Sequence, residues 1–131
     1  MRFGRVWALL LAATLAAPAM AGDGHGARKP RLDLRASPRM ALMPVDVFAI
    51  AELVGGDETE DFYCPAIEWE WGDGNRSAHE SDCSPFRPGM TMARLHSATH
   101  AYRRPGEYSI RVTLRRVGRT LAAATTQVDI R

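Results

Sequence analysis

The chain has 131 residues, 46% of them hydrophobic and 24% charged, and a formal charge of +2. That length suits one domain with a single core, and the near-balanced charge excludes a chain held to nucleic acid by net basicity. Beyond the N-terminus no stretch approaches the roughly 18 uncharged residues that a helical membrane span needs.

Arg2 and Arg5 precede an apolar run from Val6 to Ala17, which closes on Ala19-Met20-Ala21. A basic start, a short apolar run and a small-x-small site predict a secretory signal peptide over 1–21. Neither cysteine lies at the cleavage site, so no lipid anchor is expected there. The mature protein is predicted to be soluble, in the periplasm or secreted. Losing Arg2 and Arg5 from 17 basic side chains leaves as many as the 15 acidic ones, so the mature chain is formally neutral. Arginine dominates and Lys29 is the single lysine, a usage typical of a GC-rich bacterial gene.

Residues 22–31, rich in glycine and charge, are predicted to be a flexible leader before a domain over 32–131. Leu32 and Leu34 alternate with charged neighbours and predict a short edge strand ending at Ser37-Pro38. Val45 to Val54 is an apolar, β-branched run closed by Gly55-Gly56. It predicts a second strand whose inward parity is open, because the Val45, Val47, Ala49 set and the Phe48, Ile50 set are both apolar. An acidic loop, Asp57 to Asp61, leads into Phe62, Tyr63 and Cys64.

Ala66 to Trp71 has the clearest alternation, with Ile67, Trp69 and Trp71 on one face and Glu68 and Glu70 on the other. It stops at Gly72-Asp73-Gly74. Asn75 to Pro88 is polar and turn-rich, and Met90 to His96 is the next candidate strand. Pro105-Gly106 marks a turn into Tyr108 to Arg115, where Tyr108, Ile110, Val112 and Leu114 form an inward row. Val117-Gly118-Arg119 predicts a hairpin into Thr120 to Ile130, with Val128 and Ile130 facing the core. No helical period persists beyond the signal peptide. The pattern predicts an all-β, two-sheet antiparallel sandwich of about seven strands.

Two cysteines in an exported chain predict one bridge, Cys64 to Cys83. Charge is segregated along the sequence. Asp46 to Asp82 holds eleven carboxylates and one base, Arg76, whereas Cys83 to Arg131 holds nine arginines against Glu107 and Asp129. A basic face for nucleic acid or an anionic polymer is one reading. Mutual neutralisation of the two segments on neighbouring strands is the simpler one, so no nucleic acid is expected.

The run Trp69-Glu70-Trp71-Gly72-Asp73-Gly74, with His100-Ala101-Tyr102 and Pro105-Gly106-Glu107-Tyr108, resembles the PKD domain, an immunoglobulin-like sandwich. The resemblance covers about Leu34 to Ile130. It implies that Trp69 is the core tryptophan of the third strand, that the Tyr102 hydroxyl bonds back to backbone, and that His100 is structural. It also implies a non-catalytic extracellular module that contacts proteins or polysaccharides. The segment Ser77 to Pro88 and the cysteine bridge depart from the family pattern.

Candidate sites follow from the remaining polar and aromatic residues. Glu68 and Glu70 are expected to pair with Arg111 and Arg115 across the sheet, and Asp73 to bond its own turn. Metal candidates are Asp57, Glu58, Glu60 and Asp61 in the acidic loop, or His96 with His100, although neither set has a known ligand spacing. No cofactor is implied. No serine lies in a G-x-S-x-G context, so no enzyme is expected. Asn75-Arg76-Ser77 matches a glycosylation sequon, which a bacterial product would not use. Phe62, Tyr63, Phe86, Met90 and Met92 flank the insertion, either exposed to a partner or packed beneath it. The expected function is an interaction module using Phe62, Tyr63 and Phe86; the alternative is a small periplasmic metal- or ligand-binding protein.

Overall fold

The computed structural model describes residues 28–131; the predicted signal peptide and the first part of the predicted leader lie outside the described residues. Eight strands and one helical turn follow in order: β1 (Arg31–Ser37), β2 (Met40–Ala41), β3 (Val45–Val54), α1 (Glu60–Tyr63), β4 (Ala66–Glu70), β5 (Arg76–His79), β6 (Leu95–Tyr102), β7 (Gly106–Arg116) and β8 (Arg119–Ile130). They form two sheets, β1-β3-β6 and β2-β8-β7-β4-β5. This is the immunoglobulin-like sandwich. Pairing is antiparallel except between β2 and β8, which run parallel over two residues.

The core lies between the sheets and is built from the alternating faces of β3, β4 and β7. Val47, Ala49, Ala51 and Leu53 point inward from β3, while Phe48 and Ile50 face outward. This settles the parity that two apolar faces left open. The inward alanines give room to the bulky Trp69 and Trp71 in the same cluster, since a dense core needs large and small residues matched across the layers. Ile110, Val112 and Leu114 complete it from β7, each fully buried. Burying each such side chain is worth about 1.5–3 kcal/mol.

Several boundaries differ from expectation. The acidic loop ends in the helical turn α1, whose Phe62 is buried. The first residues of the polar region form β5, which pairs with β4 although all four are exposed. No apolar alternation marks it: the backbone ladder holds it together with two polar contacts, Arg76 with Glu70 and the Trp71 indole N–H to Ser77 Oγ. The strand expected over 90–96 lies instead at Leu95–Tyr102. Its inward positions are His96, Ala98, His100 and Tyr102, and two histidines on the buried face hide the period-2 signal. At the N-terminus the leader stops short of residue 31: the Arg28 N–H bonds Asp57 Oδ2 at 2.8 Å, and β1 begins at Arg31. Gly56 has φ +69, and a Cβ there would meet Pro30 N at 2.4 Å, so glycine permits this close passage.

The β7–β8 hairpin closes through Val117 and Gly118, with φ of 49° and 71°. Two successive positive φ values match the twist of a two-residue hairpin. A β-branched valine is a poor occupant of that conformation.

Candidate functional site

β4 and β7 run between two chemically different ends of the sandwich. At one end Trp71 leaves β4 and the chain reverses through Gly72-Asp73-Gly74. A Cβ on Gly72, at φ +85, would lie 2.7 Å from Ser109 O, so the turn packs directly on the β7 backbone. Asp73 accepts from Asn75 N and Nδ2, both at 3.0 Å, and its Oδ2 lies 2.6 Å from His100 Nε2. Burial alone would push the Asp73 carboxyl up, but the His100 ring and the Asn75 donors hold it below the usual carboxylate range. An ionised carboxylate only accepts, so His100 Nε2 carries the proton of this bond.

The His100 ring stacks on Trp71 at 4.8 Å and meets the edge of Tyr102 at 4.8 Å, while Tyr102 stacks on Tyr108 at 4.3 Å. The Tyr102 hydroxyl donates to Trp71 O at 2.7 Å, and burial pushes its ionisation far up. Tyr108 donates to Arg104 O at 2.6 Å, spanning the Pro105-Gly106 turn. Every polar group named here bonds inside the corner, and His100, Tyr102 and Asp73 are at most half exposed. The arrangement stabilises a turn.

The other end carries the disulfide. Cys64, just after α1, is bridged to Cys83 with a Cα separation of 6.3 Å. Residues 80–94 between β5 and β6 contain neither helix nor strand. Among the ties that hold this segment are the bridge, the buried Met92 side chain, the Tyr63–Phe86 aromatic pair at 5.3 Å, and Glu58. Glu58 accepts from Met92 N at 2.6 Å and from Arg94 Nη2 at 2.9 Å. The Met92 N–H and the Arg94 guanidinium hold its carboxyl below the ordinary range. Arg94 also donates to the carbonyls of Leu53 and Gly55 at 3.2 and 2.7 Å, fastening the segment to the end of β3. A loop of this length without its own regular structure commonly carries function.

Two adjoining clefts flank the bridge. One, about 440 Å³, lies between Glu80-Ser81 and the β7–β8 hairpin and is lined by Cys64, Glu68, Arg115 and Arg116. The other, about 370 Å³, is lined by Tyr63, Ser84, Phe86 and Arg116. Of the expected surface residues, Tyr63 and Phe86 are half-exposed on this rim, but Phe62 is buried and cannot touch a partner. Its place on the inner face of α1 makes it core. Met92 likewise packs beneath, and Met90 is half-buried.

The acidic and basic segments meet here. Arg116 and Arg119 pair with Glu60 and Asp61 at 2.9–3.6 Å, and Arg94 with Glu58 at 2.9 Å. Glu68 pairs with Arg115 at 3.7 Å, whereas Glu70 pairs with Arg76 of β5 at 3.1 Å rather than with Arg111. Glu70 lies between Arg76 and Arg111 in register, and the short β5 supplies the nearer guanidinium. The acidic-loop carboxylates are thus directed at guanidinium groups and backbone donors, with Asp57 on Arg28 N. His96 and His100 lie four residues apart in one strand, about 13 Å along it, too far to share an ion. His96 Nε2 is buried without a partner among the described residues. Burial pushes its pKa below the ordinary imidazole value, against a bond to Ala93 backbone that pushes it up.

Sequence reasoning missed the contact between Ser81 Oγ and His79 Nε2 at 3.2 Å. Both side chains are exposed, and no carboxylate orients the ring among the described residues, so the pair lacks the third member that activates a serine.

No protein-family model matches the chain, and no curated protein does. Among solved structures, a PKD domain of an M14-like peptidase from Thermoplasmatales archaeon SCGC AB-540-F20 superposes with a TM-score of 0.54 at 12% identity. The match covers 79% of this chain and 97% of that one. The chain has the fold of a PKD domain. The aromatic corner closes one end of this sandwich, and the disulfide-tied segment lies at the other. No helix among the described residues is long and apolar enough to cross a membrane, and a disulfide suits an oxidising compartment.

Proposed function

We propose that this chain is an exported, non-catalytic interaction module that binds a protein or polysaccharide through the rim formed by α1 and residues 80–94. One observation carries the reading: the half-exposed Tyr63–Phe86 pair lines the cleft of about 370 Å³ beside the covalently fixed loop. Aromatic side chains beside a rigid groove supply contact area at low entropic cost. Accessory modules of the PKD type are generally non-catalytic, and the solved structure with this fold is the PKD domain of an M14-like peptidase. The signal-peptide pattern and the disulfide support export to the periplasm or beyond.

Glycan arrays, and capture from periplasm or culture medium, test this reading with the pair Tyr63→Ala and Phe86→Ala. Loss of at least tenfold in affinity, with the β-sandwich retained by circular dichroism, is the expected result. An interaction untouched by both substitutions would remove the proposed rim. The alternative metal- or ligand-binding reading predicts heat and a raised melting temperature with calcium, zinc or copper. Arginine pairing of the acidic loop weighs against it.

A further inference from the structure

We infer that β6 is a self-association edge, across which two copies of the chain pair their β6 strands antiparallel into one six-stranded sheet. β6 terminates the β1-β3-β6 sheet and pairs only with β3, so among the described residues its outer backbone groups have no ladder partner. An open edge invites pairing unless charge, proline or a bulge blocks it. β6 has none of these: Leu95 to Tyr102 contains no Asp, Glu, Lys, Arg or Pro, and its pairing with β3 runs without a register shift. The other edges are guarded. β1 carries Arg31, Asp33 and Arg35, β2 has two residues, β5 has four with Arg76 among them, and β8 has β1 of the opposite sheet lying against it.

The sequence of β6 is self-complementary about a two-fold axis at Ala98. Inward side chains must meet inward ones, because a one-residue slip inverts every position. With Ala98 on the axis, exposed Ser97 faces Thr99 of the second copy and exposed Leu95 faces its Ala101. Hydroxyl pairs and a large residue against a small one are favourable cross-strand neighbours. No like charges oppose each other at any paired position, and the neutral mature chain adds no net repulsion. One strand away, outward-facing Phe48 and Ile50 lie opposite Thr99 and Ser97 in register. The dimer sheet would therefore carry an apolar row on each side of its axis. An isologous interface of this kind is the commonest route to a dimer, and its small area implies weak, reversible association.

Sedimentation equilibrium of the mature chain tests this, with Ser97→Lys/Thr99→Lys and Ser97→Glu/Thr99→Glu as probes. Wild type is expected to shift from monomer to dimer as concentration rises. Each double variant should stay monomeric at its unchanged melting temperature, since like charges then face each other across the axis. Mixing the two variants should restore the dimer. A wild type that stays monomeric up to millimolar concentration overturns the inference, as does a dimer that both variants preserve. A monomer whose β6 outer amides resist hydrogen exchange overturns it too, because a segment other than a second copy then covers the edge.

Discussion

The two ends of β4 solve the same problem, holding a chain reversal in place, by opposite means. At the Trp71 end the reversal is fastened by interlocking groups: a carboxylate on an imidazole, the imidazole on an indole, and a phenol on the backbone carbonyl of that same tryptophan. At the Cys64 end a long irregular segment is held at separate points: one covalent bond, one buried methionine, one aromatic pair, and Glu58 and Arg94 with their hydrogen bonds. The first arrangement is over-determined and buried, so it can tolerate little change and exposes little to a partner. The second is fixed at a few points and exposed between them, which leaves its side chains free to be read by something else. Structure and proposed function thus separate along a single strand.

Substitutions sharpen this contrast in order of expected effect. Trp71→Ala, at a fully buried position stacked between Trp69 and His100, should cost about 3–5 kcal/mol, measured by urea unfolding. A loss below 1 kcal/mol would mean that the corner is not the framework described. Replacing both cysteines by serine should cost about 3 kcal/mol in the chain-entropy account, for a bridge separated by 19 residues. Tyr102→Phe strips the donor from a buried carbonyl, a loss of about 1–3 kcal/mol. Retained stability in the phenylalanine variant would assign the anchoring to ring stacking alone.

Acid should act on the two ends at different pH. His96, beside the irregular segment, has a folded pKa below 6.5, so the unfolded chain binds the extra proton first and stability falls as pH drops below 6.5 toward the folded value. Asp73, in the corner, has a folded pKa below 3.8; its contribution is present above 3.8 and is lost as pH falls through the folded value. His96→Leu should abolish the first step and keep the second. The smallest effect is a gain: Val117→Asn suits a φ of 49° and should add about 0.5–1 kcal/mol.

Legibility in the sequence followed burial. β3, β4 and β7 were readable because each presents an apolar row inward, and the Gly72-Asp73-Gly74 stop was readable because only certain residues make such turns. The parity of β3 was not, since Phe48 and Ile50 are apolar yet face outward. β6 was displaced because histidines occupy its inward row, and β5 was invisible because backbone pairing needs no side-chain pattern. At the candidate rim the cysteine pairing was clear from count and compartment. The burial of Phe62 was not, because a four-residue helical turn is too short to show a period. Glu58 was indistinguishable from its acidic neighbours, since its role depends on Met92 and Arg94, more than thirty residues away.

Native-state hydrogen exchange on oxidised and reduced protein tests the separation of scaffold and loop most directly. Reduction should release protection in residues 58–64 and 76–94, while amides of β4, β7 and the Trp71–Asn75 turn keep theirs. Uniform loss of protection across both sheets would contradict the account, because the disulfide would then hold the framework itself.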